Sequence, residues 1–350
     1  MAELEQQLQQ PVKTKPSSSR EKLEETTCSS EFGKFELRWS LKVTKTPCGT
    51  NRWYDAVVCG NIMYIKDQGT LRTYSFDVTN DNWSQLPDCL YLNSSITVMN
   101  GWLTTVGGLR GFHNRYTDEL FSLTGEDSGR QWTKIFPPMP TMKCRVASLC
   151  TGTTLIVAGG QGIRAEYLLT VEVMDTETHQ WSTAADLPET FCLGSATVCG
   201  DQFYMLGGFN KDCTNVKSVY TCSVHSLLQS CDPSSLEANF DRKTLSDKAS
   251  VWKQVADLPV KHSTSESFHG RLLAIGGEMD SGGPTTAVYM YDSTTNSWEI
   301  ISNMIIARYC CFTAVLSNNQ LMVVGGNISH GPFDFKMTET VEFAEVLASP

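Results

Sequence analysis

Short apolar runs alternate with polar turns along most of this chain, and the alternation repeats about every 50 residues. An apolar run ends in two adjacent glycines five times, at Gly107-Gly108, Gly159-Gly160, Gly207-Gly208, Gly276-Gly277 and Gly325-Gly326. These pairs are 52, 48, 69 and 49 residues apart, and a tryptophan follows each of the first four. A period of this length predicts a repeat protein built from propeller blades.

Residues 146–188 show the internal order of one unit most clearly. Apolar runs at 146–150 and 154–158 are followed by a half-alternating stretch at 170–175 and a last run that opens at Trp181 and stops at Pro188. Gly, Pro, Asp and Thr separate these runs, which predicts four short strands joined by tight turns. Aspartate precedes tryptophan by six residues in Asp77/Trp83, Asp175/Trp181 and Asp292/Trp298. We therefore expect three hairpins of one loop length and one strand register.

The sequence resembles the kelch-repeat family through three signatures: VVGGNI at 323–328, VEVMDTETHQW at 171–181, and ADLP at 185–188 and again at 256–259. The resemblance covers residues 35–345. It implies an all-β propeller of four-stranded blades, with the glycines close to the central channel and the tryptophans in the wedges between blades.

Counting the strands predicts six blades. The last unit has runs at 311–315, 320–324 and 340–343 but no tryptophan strand, whereas residues 39–43 form an unassigned strand before the first full unit. We expect this N-terminal strand to complete the last blade and close the ring, which leaves no open radial face. The first unit has residues 65–68 where a glycine pair would fall, and we retain it as a blade. The propeller domain is thus placed at 34–350.

Composition limits the kinds of ligand that this domain binds and the cellular compartment in which we expect it. Hydrophobic residues make up 41% of the chain, and the net charge of −10 argues against nonspecific binding to nucleic acid or membranes. Residues 1–33 are polar, and we expect a disordered tail without a signal peptide. The thirteen cysteines favour reduced thiols in a cytoplasmic protein over a disulfide framework. Many kelch-like proteins carry BTB and BACK domains before the propeller; neither pattern is present here, so a complete ubiquitin-ligase adaptor is not expected.

The residue patterns of known enzymatic sites are mostly missing from the sequence. The six histidines form no zinc-spaced pair, and the iron pattern of specifier proteins fails because Leu245 stands where histidine is needed after Glu237 and Asp241. The segment at 127–132 resembles the Asp box of sialidase propellers, but such a box occurs only once in the chain, and a hairpin turn accounts for it better. No glycine pair is followed by the Lys-Ser/Thr of a phosphate loop. We expect no catalytic residue, metal or cofactor; a galactose-oxidase-like or sugar-processing enzyme is the alternative, and actin binding is a third.

Loops on a rigid scaffold commonly bind partners, and this chain places basic and aromatic residues there. The resemblance implies a peptide site over the channel mouth. Its candidate residues between second and third strands are Arg110, His113, Arg115, Tyr116, Arg164, Tyr167, Lys211, His330 and Phe333. Those between successive blades are Trp53, Tyr54, Tyr91, Arg145, Phe191, His262 and Arg308. The guanidinium group of arginine forms paired hydrogen bonds with a carboxylate, so these arginines favour an acidic peptide as the ligand.

Two alternatives stay open for the arginines. Arg145 and Arg308 precede inner strands and either contact a partner or pair within the fold, while Arg110, Arg115 and Arg164 are either contacts or solvated charges. The fourth unit also contains an insertion at 223–250, interpreted as a loose loop in preference to a short amphipathic helix. The sequence thus predicts a noncatalytic, monomeric module that binds a partner protein or acidic peptide.

Overall fold

The structure is a computed structural model that describes residues 37–43, 54–68, 70–111, 115–126, 129–231, 251–329 and 336–346. Those residues form six four-stranded antiparallel sheets arranged as the blades of a propeller. The predicted six-bladed all-β fold is confirmed. No helix among the described residues is long and apolar enough to cross a membrane.

In blades 1 to 5 the strands follow the chain from the centre of the ring outward, and in blade 6 the first strand of the chain takes the outermost place. Blade 1 contains β2 (Tyr54–Cys59), β3 (Ile62–Asp67), β4 (Thr73–Asp77) and β5 (Asn82–Leu86). Blade 2 contains β6 (Ser95–Met99), β7 (Trp102–Arg110), β8 (Arg115–Thr124) and β9 (Gln131–Thr133). Blade 3 contains β11 (Ala147–Thr151), β12 (Thr154–Ala158), β14 (Val171–Asp175) and β15 (Trp181–Thr183), next to a small ladder of β10 (Lys143–Cys144) and β13 (Gln161–Gly162).

Blades 4 to 6 repeat this order. Blade 4 contains β16 (Ser195–Cys199), β17 (Gln202–Leu206), β18 (Val219–Ser223) and β19 (Lys253–Val255). Blade 5 contains β20 (Thr264–Phe268), β21 (Arg271–Ile275), β22 (Thr285–Asp292) and β23 (Ser297–Arg308). Blade 6 contains β24 (Phe312–Val315), β25 (Leu321–Val324), β26 (Thr340–Val346) and β1 (Leu37–Val43).

The N-terminal strand closes the ring, as the sequence predicted. β1 pairs antiparallel with β26 over seven residues, from Leu37 opposite Val346 to Val43 opposite Thr340. The indole nitrogen of Trp39 donates to Ser302 Oγ on the outer strand of blade 5 at 2.9 Å. Blade 6 is therefore assembled from both ends of the described chain.

Six apolar clusters hold the blades together, one in each gap between neighbours. Four tryptophans add a hydrogen bond from the indole nitrogen to a carbonyl near the end of the preceding blade's outer strand. These bonds join Trp132 to Pro87 (3.0 Å), Trp181 to Pro137 (3.3 Å), Trp252 to Ala185 (3.2 Å) and Trp298 to Ala256 (2.9 Å). The predicted wedge position of the tryptophans is confirmed, and the polar tip of each of these four rings has an acceptor.

Each glycine pair lies at the end of the second strand of its blade. There the backbone packs closely against the connection that leads into the next blade. At Gly159 the backbone has φ +62°, and an added Cβ would lie 2.4 Å from the carbonyl oxygen of Phe191. Gly160 donates its N–H to that same oxygen at 2.7 Å. A side chain at Gly159 would both require a left-handed backbone and displace this contact, so glycine is required on steric grounds.

Two predicted segments fall largely outside the described residues. The tail at 1–33 lies outside them, as do residues 232–250 of the insertion, including the candidate helix that begins at Ser234. The described start of the insertion is a short helix, α1 (Val224–Gln229), capped by Ser223, whose hydroxyl accepts from the Ser226 N–H at 3.0 Å.

Candidate functional site

The inner strands of the six blades, β2, β6, β11, β16, β20 and β24, surround a central cavity of 720 Å³. Its wall is rich in hydroxyl groups that link neighbouring blades. Ser95 bonds to Ser148 at 2.9 Å, Ser195 to Ser265 at 2.6 Å, and Thr264 to Thr313 at 3.3 Å. Asp55 accepts the Ile96 N–H at 2.8 Å. The channel wall is thus polar, although the blades that form it pack against each other through apolar clusters.

Five residues with left-handed backbones mark the mouth of this channel. Each precedes an inner strand by two residues, and all five line the cavity: Asn93 (φ +52°), Arg145 (φ +55°), Leu193 (φ +57°), His262 (φ +53°) and Cys310 (φ +51°). Backbone bonds connect several of them from blade to blade, such as Arg145 N–H to Asn93 O at 2.9 Å and Cys310 N–H to His262 O at 3.0 Å. We call these five residues the mouth ring.

Arg145 is the predicted residue that contributes a permanent positive charge to the cavity wall. It lies near the partly exposed rings of Tyr116 on β8 and of Tyr167 on the loop between β13 and β14, and near the buried thiol of Cys192. Burial raises the pKa of Cys192 to about 11, despite the attraction of Arg145. A hydrogen bond with Cys213 Sγ at 3.3 Å, followed by burial, raises the pKa of Tyr167 to about 12. The thiol and the phenol are neutral at physiological pH, so neither cancels the charge of Arg145.

His262 occupies the mouth-ring position two blades on from Arg145, as an uncharged group. Burial, and then the neighbouring Lys261, lowers its pKa to about 4. Glu278 has an oxygen 3.8 Å from Nε2, too distant to outweigh these two effects. Its ring packs between Phe209 and Tyr309, with centroids 5.6 and 6.0 Å away. His262 therefore contributes an aromatic surface rather than a cation.

Four of the predicted basic residues are exposed on the loops around the mouth: Arg110, Arg115, Arg164 and Lys211. Their side chains form no ion pair with a described residue. By contrast, Lys217 and Lys261 on the same face both pair with Asp280, at 2.6 and 3.6 Å. Unpaired guanidinium groups are available to an acidic ligand without first breaking an internal bond.

Tyr91, Phe191 and Arg308, expected at the surface, are buried. They correspond to one another in the repeat, two residues before Asn93, Leu193 and Cys310 of the mouth ring, and they anchor the connection between blades. The Tyr91 hydroxyl donates to Glu119. Phe191 packs edge-on against Tyr220 with the centroids 5.8 Å apart. The expectation of surface exposure is wrong because of the left-handed turn in each connection. The turn directs the mouth-ring residue toward the cavity and buries the residue two positions before it.

Arg308 makes a buried ion pair that recurs elsewhere in the ring. Its Nη2 donates to Glu342 Oε1 at 2.5 Å, and both side chains are fully buried. Lys143, two residues before Arg145, pairs with Glu172 at 3.0 Å in the corresponding place between blades 2 and 3. Arg308 is therefore equivalent to Lys143 rather than to Arg145, and of the two open alternatives it pairs within the fold.

Five predicted residues fall wholly or in part outside the described residues. Trp53, His113, His330 and Phe333 lie outside the described residues, and Tyr54 begins β2 with a side chain outside them as well. Across the described part of the chain, no group of three or more His, Cys, Asp or Glu side chains has the arrangement of a metal site. All eleven cysteines there are free thiols.

Sequence reasoning missed two features of this face. Seven of the thirteen large apolar side chains exposed among the described residues lie on loops at the mouth end: Leu71, Leu90, Met142, Ile163, Leu169, Leu193 and Met279. Ile163 is 61% exposed and Leu193, in the mouth ring, is 41% exposed. The second feature is Glu266, an acid inside the channel. The available signal was its place in the sequence, between Ser265 and Ser267 and shortly before the apolar run that ends in Gly276-Gly277.

The Kelch motif family model matches residues 142–188 and 259–305, which correspond to blades 3 and 5 with their entering connections. Kelch-like protein terF of Aspergillus terreus is 28% identical over 156 residues, covering 42% of this chain and 33% of that protein. Spermatocyte protein spe-26 of Caenorhabditis elegans is 24% identical over 290 residues, covering 73% and 50%. Human Kelch-like protein 38 is 23% identical over 202 residues, covering 49% and 35%.

The chain thus spans between a third and a half of the length of these relatives. The solved structure of YjhT has a TM-score of 0.65 and 13% identity, and the match covers 85% of this chain and 95% of that one. At this identity the likeness shows the fold alone. Together with the motif matches and the six blades, it leads to one conclusion: the chain folds as a six-bladed β-propeller that contains Kelch motifs.

Proposed function

We propose that this propeller is a noncatalytic, monomeric module that recognises a partner protein in the cytoplasm, and that it binds an acidic peptide segment over the channel mouth. The relatives support the coarser part of this proposal, because kelch-like proteins share the same repeat.

The observation that carries the proposal is the concentration of exposed apolar side chains at one end of the ring. Seven of them lie at the mouth end, on loops of blades 1, 3 and 5 and on the connections between blades. Isolated apolar side chains on a surface need no explanation, but a group on one face is typical of a docking surface. Aromatic groups of Tyr116, Tyr167 and His262 lie within the same region.

The charges of the mouth face favour an acidic ligand although the whole chain carries a net charge of −10. Arg110, Arg115 and Arg164 are exposed without an ion-pair partner among the described residues, and Arg145 lines the cavity itself. A carboxylate placed between these guanidinium groups accepts charge-assisted, bidentate hydrogen bonds from them. The apolar side chains would supply contact area, and the arginines would select the charge of the peptide.

The experiment compares four forms of the full chain in affinity capture from a cell lysate, read by quantitative mass spectrometry. The forms are the native protein, Ile163→Asp with Leu193→Asp, Arg110→Glu with Arg164→Glu, and Trp102→Asp as the control. Trp102 is 40% exposed at the start of β7, at the opposite end of the blade, so its substitution introduces an exposed carboxylate away from the mouth.

A partner that is retained by the native protein and the Trp102→Asp control, and lost by both mouth variants, supports the proposal. Equal recovery with all four forms would show that the partner binds elsewhere, and the proposed site would be abandoned. Loss by the apolar variant alone would remove the acidic peptide from the proposal. Melting temperatures of all four forms separate lost binding from lost folding, because these exposed side chains contribute little to stability.

A further inference from the structure

The channel below the mouth has the opposite electrostatic character to the loops above it. Its wall presents hydroxyl groups from several blades and two carboxyl groups, those of Asp55 and Glu266. Arg145, in the mouth ring, is the only lysine or arginine among the described residues that line the cavity. A ligand group that passes the mouth therefore meets acceptors of hydrogen bonds and acids.

Glu266 is the acid without a counter-charge. Its Oε1 accepts the N–H of the adjacent Ser267 at 3.1 Å, and no described lysine, arginine or histidine pairs with it. Asp55 differs, because it accepts the Ile96 N–H and lies near Lys66. Carboxyl groups enclosed by protein are normally paired. The channel thus holds one acid that has no counter-charge among the described residues.

The depth of Glu266 suits a long side chain. Glu266 lies four residues beyond His262 of the mouth ring along β20, which is about 13 Å at about 3.3 Å per residue. By strand register it lies level with Thr97 and Thr197, two residues deeper than Asp55. An extended lysine or arginine side chain places its charged end near Glu266 when its own backbone has entered the channel to the level of Asp55, which by the same rise is about 7 Å above Glu266.

We propose that the channel is a receptor for one basic side chain of the bound partner, with Glu266 as its counter-ion and the threonine hydroxyls of β6 and β16 as further acceptors. The proposed function enters only as the source of that side chain. The partner segment would then combine acidic residues, which contact the loop arginines, with a single basic residue directed down the axis. Such a pattern is more selective than charge alone, because a purely acidic peptide leaves the channel acid unpaired.

The ionisation of Glu266 gives the site a characteristic pH dependence. Burial raises its pKa to about 8, so roughly one tenth of the carboxyl is ionised at pH 7 and about nine tenths at pH 9. Among the elements packed against β20, β16 carries Cys199, β21 carries Arg271, and β24 carries no titratable side chain. The other titratable groups of the cavity wall are Asp55, Arg145, Cys150, His262, Cys310 and Cys311. Binding of a cation requires the ionised form and should release a proton near pH 7.

The test uses n-butylguanidinium, an analogue of the arginine side chain, and n-butylurea, its neutral counterpart of the same shape. Methyl NMR of the full chain follows Val57 and Leu149, which line the channel. We expect a saturable shift with the guanidinium and none with the urea, and about a tenfold tighter Kd at pH 9 than at pH 7. Glu266→Gln should weaken binding at least tenfold and abolish the pH dependence. Glu299→Gln, an exposed acid on β23 of the same blade, should leave both unchanged.

The inference is overturned if the urea binds as well as the guanidinium, if no saturable shift occurs, or if Glu266→Gln binds like the native protein. The pH dependence and the urea comparison use native protein, so the test holds even if a variant does not fold. Binding of the guanidinium at Glu266, combined with failure of the mouth variants to alter capture, would retain the channel site and reject the proposed function. The reverse result would reject the channel site alone.

Discussion

Replacing Arg308 with alanine should destabilise the propeller far more than replacing an exposed arginine of the mouth loops. The guanidinium donates to Gly325 O at 2.7 Å, to Thr340 Oγ1 at 2.9 Å and to Glu342 Oε1 at 2.5 Å, in a place with no access to solvent. Without it, Glu342 remains a buried charge with only the N–H groups of Ile305 and Ile306 as donors. Breaking a buried pair in this way costs about 3–5 kcal/mol.

Urea unfolding followed by tryptophan fluorescence measures this cost. The matched control is Arg164→Ala, whose exposed side chain forms no ion pair among the described residues and which should change the free energy of unfolding by less than about 0.5 kcal/mol. The double variant Arg308→Met, Glu342→Gln removes both charges and should recover about 2 kcal/mol of the loss, since the uncompensated charge is gone. If Arg308→Ala unfolds within about 1 kcal/mol of the native protein, the anchoring role is wrong.

Three further outcomes follow from the fold and are read by the same unfolding assay. Gly159→Ala should cost about 2 kcal/mol more than Gly152→Ala, because both have positive φ but only the former meets a carbonyl oxygen; equal costs would contradict the steric argument. Trp39→Ala should cost about 3 kcal/mol through loss of packing between blades 5 and 6, whereas exposed Trp102→Ala should be nearly neutral. Glu266→Gln should gain stability relative to the native protein as pH rises from about 4.5 to 8, at most by about 1.4 kcal/mol per pH unit. The folded state retains the proton of Glu266 in that range while the unfolded state has lost it; a difference independent of pH would refute the raised pKa.

Most of the fold could be predicted from local patterns, because each blade is a short-range unit. The strand at 154–158 and the hairpins that begin at Asp77, Asp175 and Asp292 depend on residues close in sequence. In each turn the aspartate accepts backbone N–H groups, as Asp175 Oδ1 does from Glu177 and Thr178 at 2.8 and 2.9 Å. Closure by β1 was predictable for another reason, since the last unit lacked a strand and the N-terminus had one to spare.

The candidate site was less predictable, because the orientation of a side chain at the mouth depends on a single left-handed residue in each connection. Shifting the alignment of the connections by two residues exchanges a mouth-ring residue for a buried anchor, as the different environments of Arg145 and Arg308 show. The sequence did contain a signal for the difference. Glu172 and Glu342 each stand inside an apolar third strand, in Val-Glu-Val and Val-Glu-Phe, where an acid requires a buried cation.

The pairing of β1 with β26 also determines when the ring can become complete. About 300 residues separate these two strands along the chain, so the strand of the propeller that is synthesised first has no partner until the one synthesised last is available. Blades 1 to 5 can form their own sheets from neighbouring segments, whereas the sixth must bring together distant ones at a large entropic cost. The final docking step is thus a property of the whole ring, and a chain interrupted anywhere before β26 leaves β1 as an unpaired, apolar edge open to aggregation.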